Sequence, residues 1–192
     1  AGHDIQSHTV THNDGVLTAE EEYEGSINII EANITADPEN EAEVKKAKVN
    51  VLAYPNGLKP WLEDEIDSRE VAENYFIGAR GTSGHINKAD EIDYFDVDAT
   101  IRISLRAYED DGDPDRVGLP NLIELNENYP RTYRGWGCLL THGVNDTLKT
   151  ELIELFDYFD EHEDKFWVGL FRDVLMYARE RDAAQIAIAS VT

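Results

Sequence analysis

Apolar residues first recur at helical spacing just after residue 18. Thr18-Ala-Glu-Glu21 reads as a capping box, with Thr18 as the cap and Glu21 three residues on. It opens an amphipathic helix whose apolar positions are Tyr23, Ile27, Ile30 and Ile34. The charged stretch at roughly 36–47 reads as a solvated loop or the end of that helix. Val49-Asn-Val-Leu-Ala-Tyr54 reads as a buried strand stopped by Pro55-Asn56-Gly57. A second helix is expected over 61–74, then a short strand from Tyr75 to Ala79, a loop marked by Gly81 and Gly84, and strands near 92–96 and 100–105. Glu109 to Asp115 reads as a charged turn, Leu119 to Asn128 as a short helix, and Trp136 to Thr141 as a buried strand ending at His142-Gly143. A helix over 147–161 carries Leu148, Leu152, Leu155, Phe156 and Phe159 on one face. A strand from Phe166 to Leu170, a helix over 172–181 and a strand from Gln185 to Ala189 complete the pattern. Strands alternating with helices imply parallel βα units, hence an α/β sheet or barrel in a single domain, 1–192.

Composition narrows the partners. With 17 Lys and Arg against 40 Asp and Glu, the formal charge is −23. A polyphosphate ligand needs a basic face, so nucleic acid is disfavoured, and anionic membrane surfaces are disfavoured for the same reason. No apolar run approaches the roughly 20 residues of a membrane helix. With 41% hydrophobic residues the chain can build a core, so the acidic runs read as solvated faces of a folded domain. One cysteine, Cys138, excludes an intrachain disulfide and a cysteine-cluster metal site. No signal peptide is visible in residues 1–17, and the abrupt Ala-Gly-His-Asp-Ile start reads as a chain beginning partway through a domain.

In α/β folds the polar chemistry gathers at the carboxyl ends of strands. His8 and His12 stand four residues apart in His-Thr-Val-Thr-His, where one turn can aim both imidazoles at a transition metal such as Zn²⁺. From spacing alone, exposed loop histidines are the alternative. His142, at the end of an apolar strand, has the intrinsic pKa of a general acid or base, or is simply a satisfied polar residue. Trp61, after Pro60, is a candidate for stacking on a ligand ring, whereas Trp136 and Trp167 read as core.

These pieces, in this order, resemble the polysaccharide deacetylases, the NodB-homology domain of carbohydrate esterase family 4. Gly2-His3-Asp4-Ile5 leading into His8-Thr9-Val10-Thr11-His12 is similar to the family's second motif, Ala53-Tyr54-Pro55-Asn56-Gly57 to its third, and Leu140-Thr141-His142-Gly143-Val144 to its fifth. Phe166-Trp-Val168, Phe171-Arg-Asp-Val174 and Tyr177 to Arg181 resemble the last strand and helix of an esterase-like branch. The resemblance implies a distorted (β/α)7-type barrel, incomplete at the N-terminus, that hydrolyses N- or O-linked acetyl groups of a polysaccharide or oligosaccharide with a divalent metal, Zn²⁺ foremost. It implies His8 and His12 as metal ligands, His142 as the general acid, Leu140 lining the pocket for the acetyl methyl, and the Asn56 N–H on the oxyanion. It also implies secretion or a periplasmic location.

The departures are specific. The family's Thr-Phe-Asp-Asp-Gly phrase, source of its base and third ligand, precedes the His pair and has no counterpart here. That segment is expected either upstream or from another chain, as in a homo-oligomer. Ala53 stands where the third motif has Arg, and Asn56 where Tyr is usual. Arg80, at the end of the next strand, is a candidate replacement for that guanidinium, with a surface ion pair as its other reading. Asp93-Tyr-Phe-Asp96 matches the fourth motif poorly. Two other classes therefore stand beside the enzyme: a non-catalytic carbohydrate-binding domain on the same barrel, and an unrelated α/β metalloprotein with a third ligand such as Asp14.

Overall fold

The computed structural model describes residues 3–12, 15–34, 48–57, 67–82, 87–99 and 135–184. Helix α1 (Ala19–Asn33) starts at the capping box: the Glu21 N–H donates to Thr18 Oγ1, and the Thr18 N–H donates back to the Glu21 carboxylate. Strand β1 (Val51–Ala53) follows and stops at a turn closed by the Gly57 N–H on the Tyr54 carbonyl. Helix α2 (Ser68–Tyr75) is capped by Asp67, and β2 (Gly78–Arg80) comes next. Then come β3 (Asn87–Lys88), β4 (Gly135–Trp136), α3 (Asp146–Glu161) and α4 (Phe171–Ala183). Asn145 caps α3 through Leu148 N–H.

β1 and β2 pair in parallel, Leu52 opposite Ala79. Ser7 bridges to Leu52 on the outer side of β1, and Val97 bridges to Arg80 beyond β2, both in parallel. The resulting order, Ser7–β1–β2–Val97, needs a crossover between each consecutive parallel pair, and α1 and α2 supply the first two. Successive strand residues point to opposite faces. Leu52 therefore joins Ala19 and Tyr23 of α1, Ala72 of α2 and Phe95 in one core, while Val51 joins Val97 and Leu175 of α4 in another. The short sheet is thus covered by α1 and α2 on one face and α4 on the other. β3 and β4 form a separate antiparallel pair.

Several elements differ from the pattern reading. The second helix runs on to Tyr75, so the strand begins at Gly78 rather than Tyr75. Residues 92–96 form no strand but an irregular segment with a turn at Tyr94-Phe95, and Val97 bridges to the sheet. Of the strand expected from Trp136 to Thr141, the named pairing is at Gly135–Trp136, and Leu139 makes only an isolated bridge and is exposed. Phe166 to Leu170 does not form a strand; Trp167, read as core, is 59% exposed and meets Tyr177 edge-on. Phe156 on α3 faces outward, while Leu155 is buried. The expectations at 36–47, 61–66, Gly84, 100–105, 109–115, 119–128 and 185–189 lie outside the described residues.

Candidate functional site

The site forms where the parallel segments end. Ser7 is locked to β1 by its N–H on the Val51 carbonyl (3.3 Å) and its carbonyl on the Ala53 N–H (3.0 Å). The Gln6 side-chain oxygen takes the Asn50 and Val51 N–H groups, and the Arg172 guanidinium of α4 meets Asp4 at 2.8 Å. The segment entering the His pair is therefore held from both β1 and α4. One residue past Ser7, His8 Nδ1 donates to the Ala53 carbonyl at 2.7 Å. A carbonyl can only accept, so Nδ1 carries the proton and Nε2 keeps its lone pair.

The chain then turns sharply. Thr9 (φ 67°) and His12 (φ 58°) both occupy the left-handed region, which is costly for a β-branched threonine. The result is that the His8 and His12 rings meet edge-on, 4.7 Å between centroids. Asn56, at the end of β1, also has a positive φ (57°), followed by Gly57 at 90°. Three non-glycine residues in this rare conformation thus sit at the carboxyl ends of two adjacent segments.

The charged surroundings of His8 are unusual for so acidic a chain. Its pKa is lowered, first by partial withdrawal of the ring from water and then by His12, Arg80 and His142, against the raising effect of the Ala53 hydrogen bond. Arg80, at the end of β2, is itself half-buried, and burial lowers its pKa. Among the described residues its guanidinium donates to the neighbouring Gly81 carbonyl at 3.2 Å. Cys138 is buried beside it, its thiol pushed up to about 11 by burial.

Of the residues singled out from sequence, His8 and His12 are brought into contact, and Arg80 and His142 come near enough for their charge to bear on His8. His142 is exposed, with Thr141 Oγ1 bonded to the Gly143 carbonyl beside it (2.9 Å). Leu140 is half-buried two residues earlier, and Asn56 is exposed on its turn. Trp61 and Asp14 lie outside the described residues. Among the described residues, no group of three or more His, Cys, Asp or Glu is gathered as a metal site. The two imidazoles fit a borderline cation such as Zn²⁺ as a partial ligand set: one tautomer is already fixed and the rings converge.

One participant was missed. Glu22 belongs to the run Glu20-Glu21-Glu22, read as a solvated face, yet it is fully buried. Its carboxyl accepts the Val10 N–H (2.6 Å), the Thr11 N–H (2.9 Å) and the Thr11 hydroxyl. The signal was in the spacing: the buried positions of α1 are Ala19, Glu22, Tyr23 and Ser26, an i, i+3, i+4, i+7 stripe that includes the acid. His162, near the end of α3, is half-buried, with Nδ1 on the Tyr158 carbonyl and its ring stacked on Tyr158.

Comparison with known proteins adds one relative. The chain is 28% identical, over 209 aligned positions, to a gellan lyase from Bacillus sp.. The likeness is to one segment of a carbohydrate-active enzyme. It takes in 97% of this chain but only 8% of the lyase, so the chain spans about 8% of the length of the curated relative it matches. No protein-family profile matches the chain, and no solved structure does. No helix among the described residues is long and apolar enough to cross a membrane.

Proposed function

We propose that the chain is the greater part of a carbohydrate deacetylase domain, a distorted (β/α)7-type barrel that hydrolyses acetyl groups from a polysaccharide or oligosaccharide with a divalent metal. The observation that carries this reading is the convergence of His8 and His12 at the carboxyl end of a parallel segment, with the His8 tautomer set by Ala53 and with Arg80 and His142 close by. The likeness to a gellan lyase supports a glycan substrate but not the type of bond broken; the secreted or periplasmic setting rests on the family resemblance alone.

In this reading His8, through Nε2, and His12 hold the metal. Zn²⁺ bound there supplies Lewis-acid polarisation of the acetyl carbonyl. His142 gives its proton to the departing alkoxide or amine, which its exposure at the strand end permits. The Asn56 N–H, presented by a left-handed turn, donates to the oxyanion, and Leu140 lines the space for the methyl group. The proton released by the attacking water goes to a base that the resemblance places on an Asp in the upstream phrase, with Arg80 as the guanidinium beside it. Trp61 serves as a stacking surface for a sugar ring.

The test is acetate release from acetylated glycans by the chain expressed with its natural upstream sequence, with Zn²⁺ or with a chelator. Acetate release that the chelator stops and that His8→Ala and His142→Ala abolish is the expected result. Lack of an upstream Asp-Asp phrase together with no acetate release would sink the proposal, as would glycan cleavage by β-elimination. A second reading, a non-catalytic carbohydrate-binding domain, is favoured by Ala53 in place of Arg and by the want of a third ligand among the described residues. It predicts glycan binding that a chelator leaves unchanged.

A further inference from the structure

Between the two histidines the chain makes a turn that its own residues disfavour. Thr9 and His12 hold positive φ angles, and two N–H groups, those of Val10 and Thr11, point away from the sheet and toward α1. Something must stabilise that arrangement, because the left-handed region is unfavourable for a β-branched residue. The face of α1 that meets the turn consists of Glu22, Gly25 and Ser26. Ser26 Oγ lies 2.6 Å from Ser7 Oγ, anchoring the start of the turn. Gly25 leaves room for Val10: a Cβ there would stand 2.9 Å from Val10 Cγ2. Glu22, with no exposed surface, takes both backbone N–H groups on one oxygen and the Thr11 hydroxyl on the other.

A buried acid that accepts three hydrogen bonds from two consecutive residues is an expensive feature unless it determines a conformation. We propose that Glu22 is a positioning residue: by clamping Val10 and Thr11 it holds the turn that brings the His8 and His12 rings together, and so sets the geometry in which they take a metal. The metal half of this inference rests on the function proposed above; the clamp itself does not. Glu22 touches neither ring, and acts only through the backbone between them.

Substitutions separate the clamp from simple destabilisation. Glu22→Met keeps the volume and leaves both N–H groups unpaired. Glu22→Gln is the conservative variant, since the amide oxygen can accept both N–H groups while its nitrogen donates to Thr11 Oγ1. Thr11→Val removes the hydroxyl donor to Glu22 and keeps both backbone N–H groups. Tyr23→Phe, which loses the Tyr23 hydroxyl bond to the Ser68 carbonyl, weakens the same helix without touching the turn.

Two measurements are made on each protein: NMR of the metal-free form, reading the His8–His12 inter-ring NOE and the exchange of the Val10 and Thr11 amides, and calorimetric titration with Zn²⁺. The NOE and amide protection should be lost in Glu22→Met, with Zn²⁺ affinity falling by about tenfold or more. Glu22→Gln and Tyr23→Phe should stay within about twofold of the parent, and Thr11→Val should fall by about threefold. Should Glu22→Met fail to fold, Thr11→Val with Glu22→Gln decides by the same criteria. An NOE and affinity unchanged in Glu22→Met, or in Thr11→Val where only that variant folds, would overturn the clamp and leave the metal reading standing. A parent protein that takes up no Zn²⁺ would remove the metal reading, and the NOE and exchange arms would then judge the clamp alone.

Discussion

The His8 imidazole shows how a single side chain is adjusted by its position. It lies at the end of a paired segment, gives its Nδ1 proton to Ala53, and has three further groups nearby that are cationic when protonated. Withdrawal from water and those neighbours lower its pKa below the ordinary 6.5, so at neutral pH the ring is uncharged and able to ligate. The sign of the stability effect follows. Between the lowered folded pKa and 6.5 the unfolded chain binds more protons than the folded one, so stability rises with pH through that window and is lost as pH falls through it. Urea denaturation of the metal-free protein over this acid range should therefore show a falling midpoint, and His8→Gln should flatten the slope. A slope unchanged by His8→Gln would place the titrating group elsewhere.

Glu22 belongs to the same scale and teaches the opposite lesson. Its neighbours Glu20 and Glu21 are exposed, and composition cannot tell one glutamate of a run from the next. The helical phase can, because Glu22 falls on the buried stripe with Ala19, Tyr23 and Ser26.

At the level of elements, the capping box at Thr18, the stop at Pro55-Asn56-Gly57 and the start of α3 near residue 147 were all legible, because each depends on neighbours within four residues. The strand expected over 166–170 was not. Phe-Trp-Val-Gly-Leu has the composition of a strand, but β preference mostly reflects packing against a partner, and Trp167, Val168 and Leu170 are exposed here. Sheet packing also leads to a specific test at Gly78 in β2. A Cβ there would lie 2.5 Å from the Tyr94 carbonyl oxygen and 2.6 Å from Leu175 Cδ2. The carbonyl belongs to the Ala79 N–H bond (2.8 Å) and cannot swing aside without breaking it. Gly78→Ala should therefore cost about 1–3 kcal/mol, read as a lower urea midpoint at unchanged slope. Gly143, where a Cβ would meet nothing within 4 Å, should accept alanine with no change in stability.

For the whole molecule, net charge is the dominant physical property. With −23 formal charges on 192 residues, mutual repulsion works against the compact state and salt screens it. The melting temperature should rise as NaCl goes from about 10 mM to about 1 M, where the screening length shrinks from roughly 30 Å to 3 Å. A flat or falling profile would mean that the acidic residues are already neutralised by local pairing. Against that charge, the described neighbours that lower the His8 pKa are His12, Arg80 and His142.

By itself the sequence determined the Thr18 capping box, the turn at Asn56-Gly57, the helices after residues 18 and 146, and the candidates His8, His12, Arg80 and His142. Each of these depends on residue type and on spacing within a few positions. Only the tertiary structure decided which candidates meet. Arg80 and His142 are far along the chain from His8, and parallel packing across α1 and α2, not any local pattern, brings Arg80 to the same sheet end. Tertiary structure also decided that one glutamate of three is buried against the turn. A buried acid is tolerated where hydrogen-bond donors or a cation meet it, and here the donors come from a segment that only folding brings against α1.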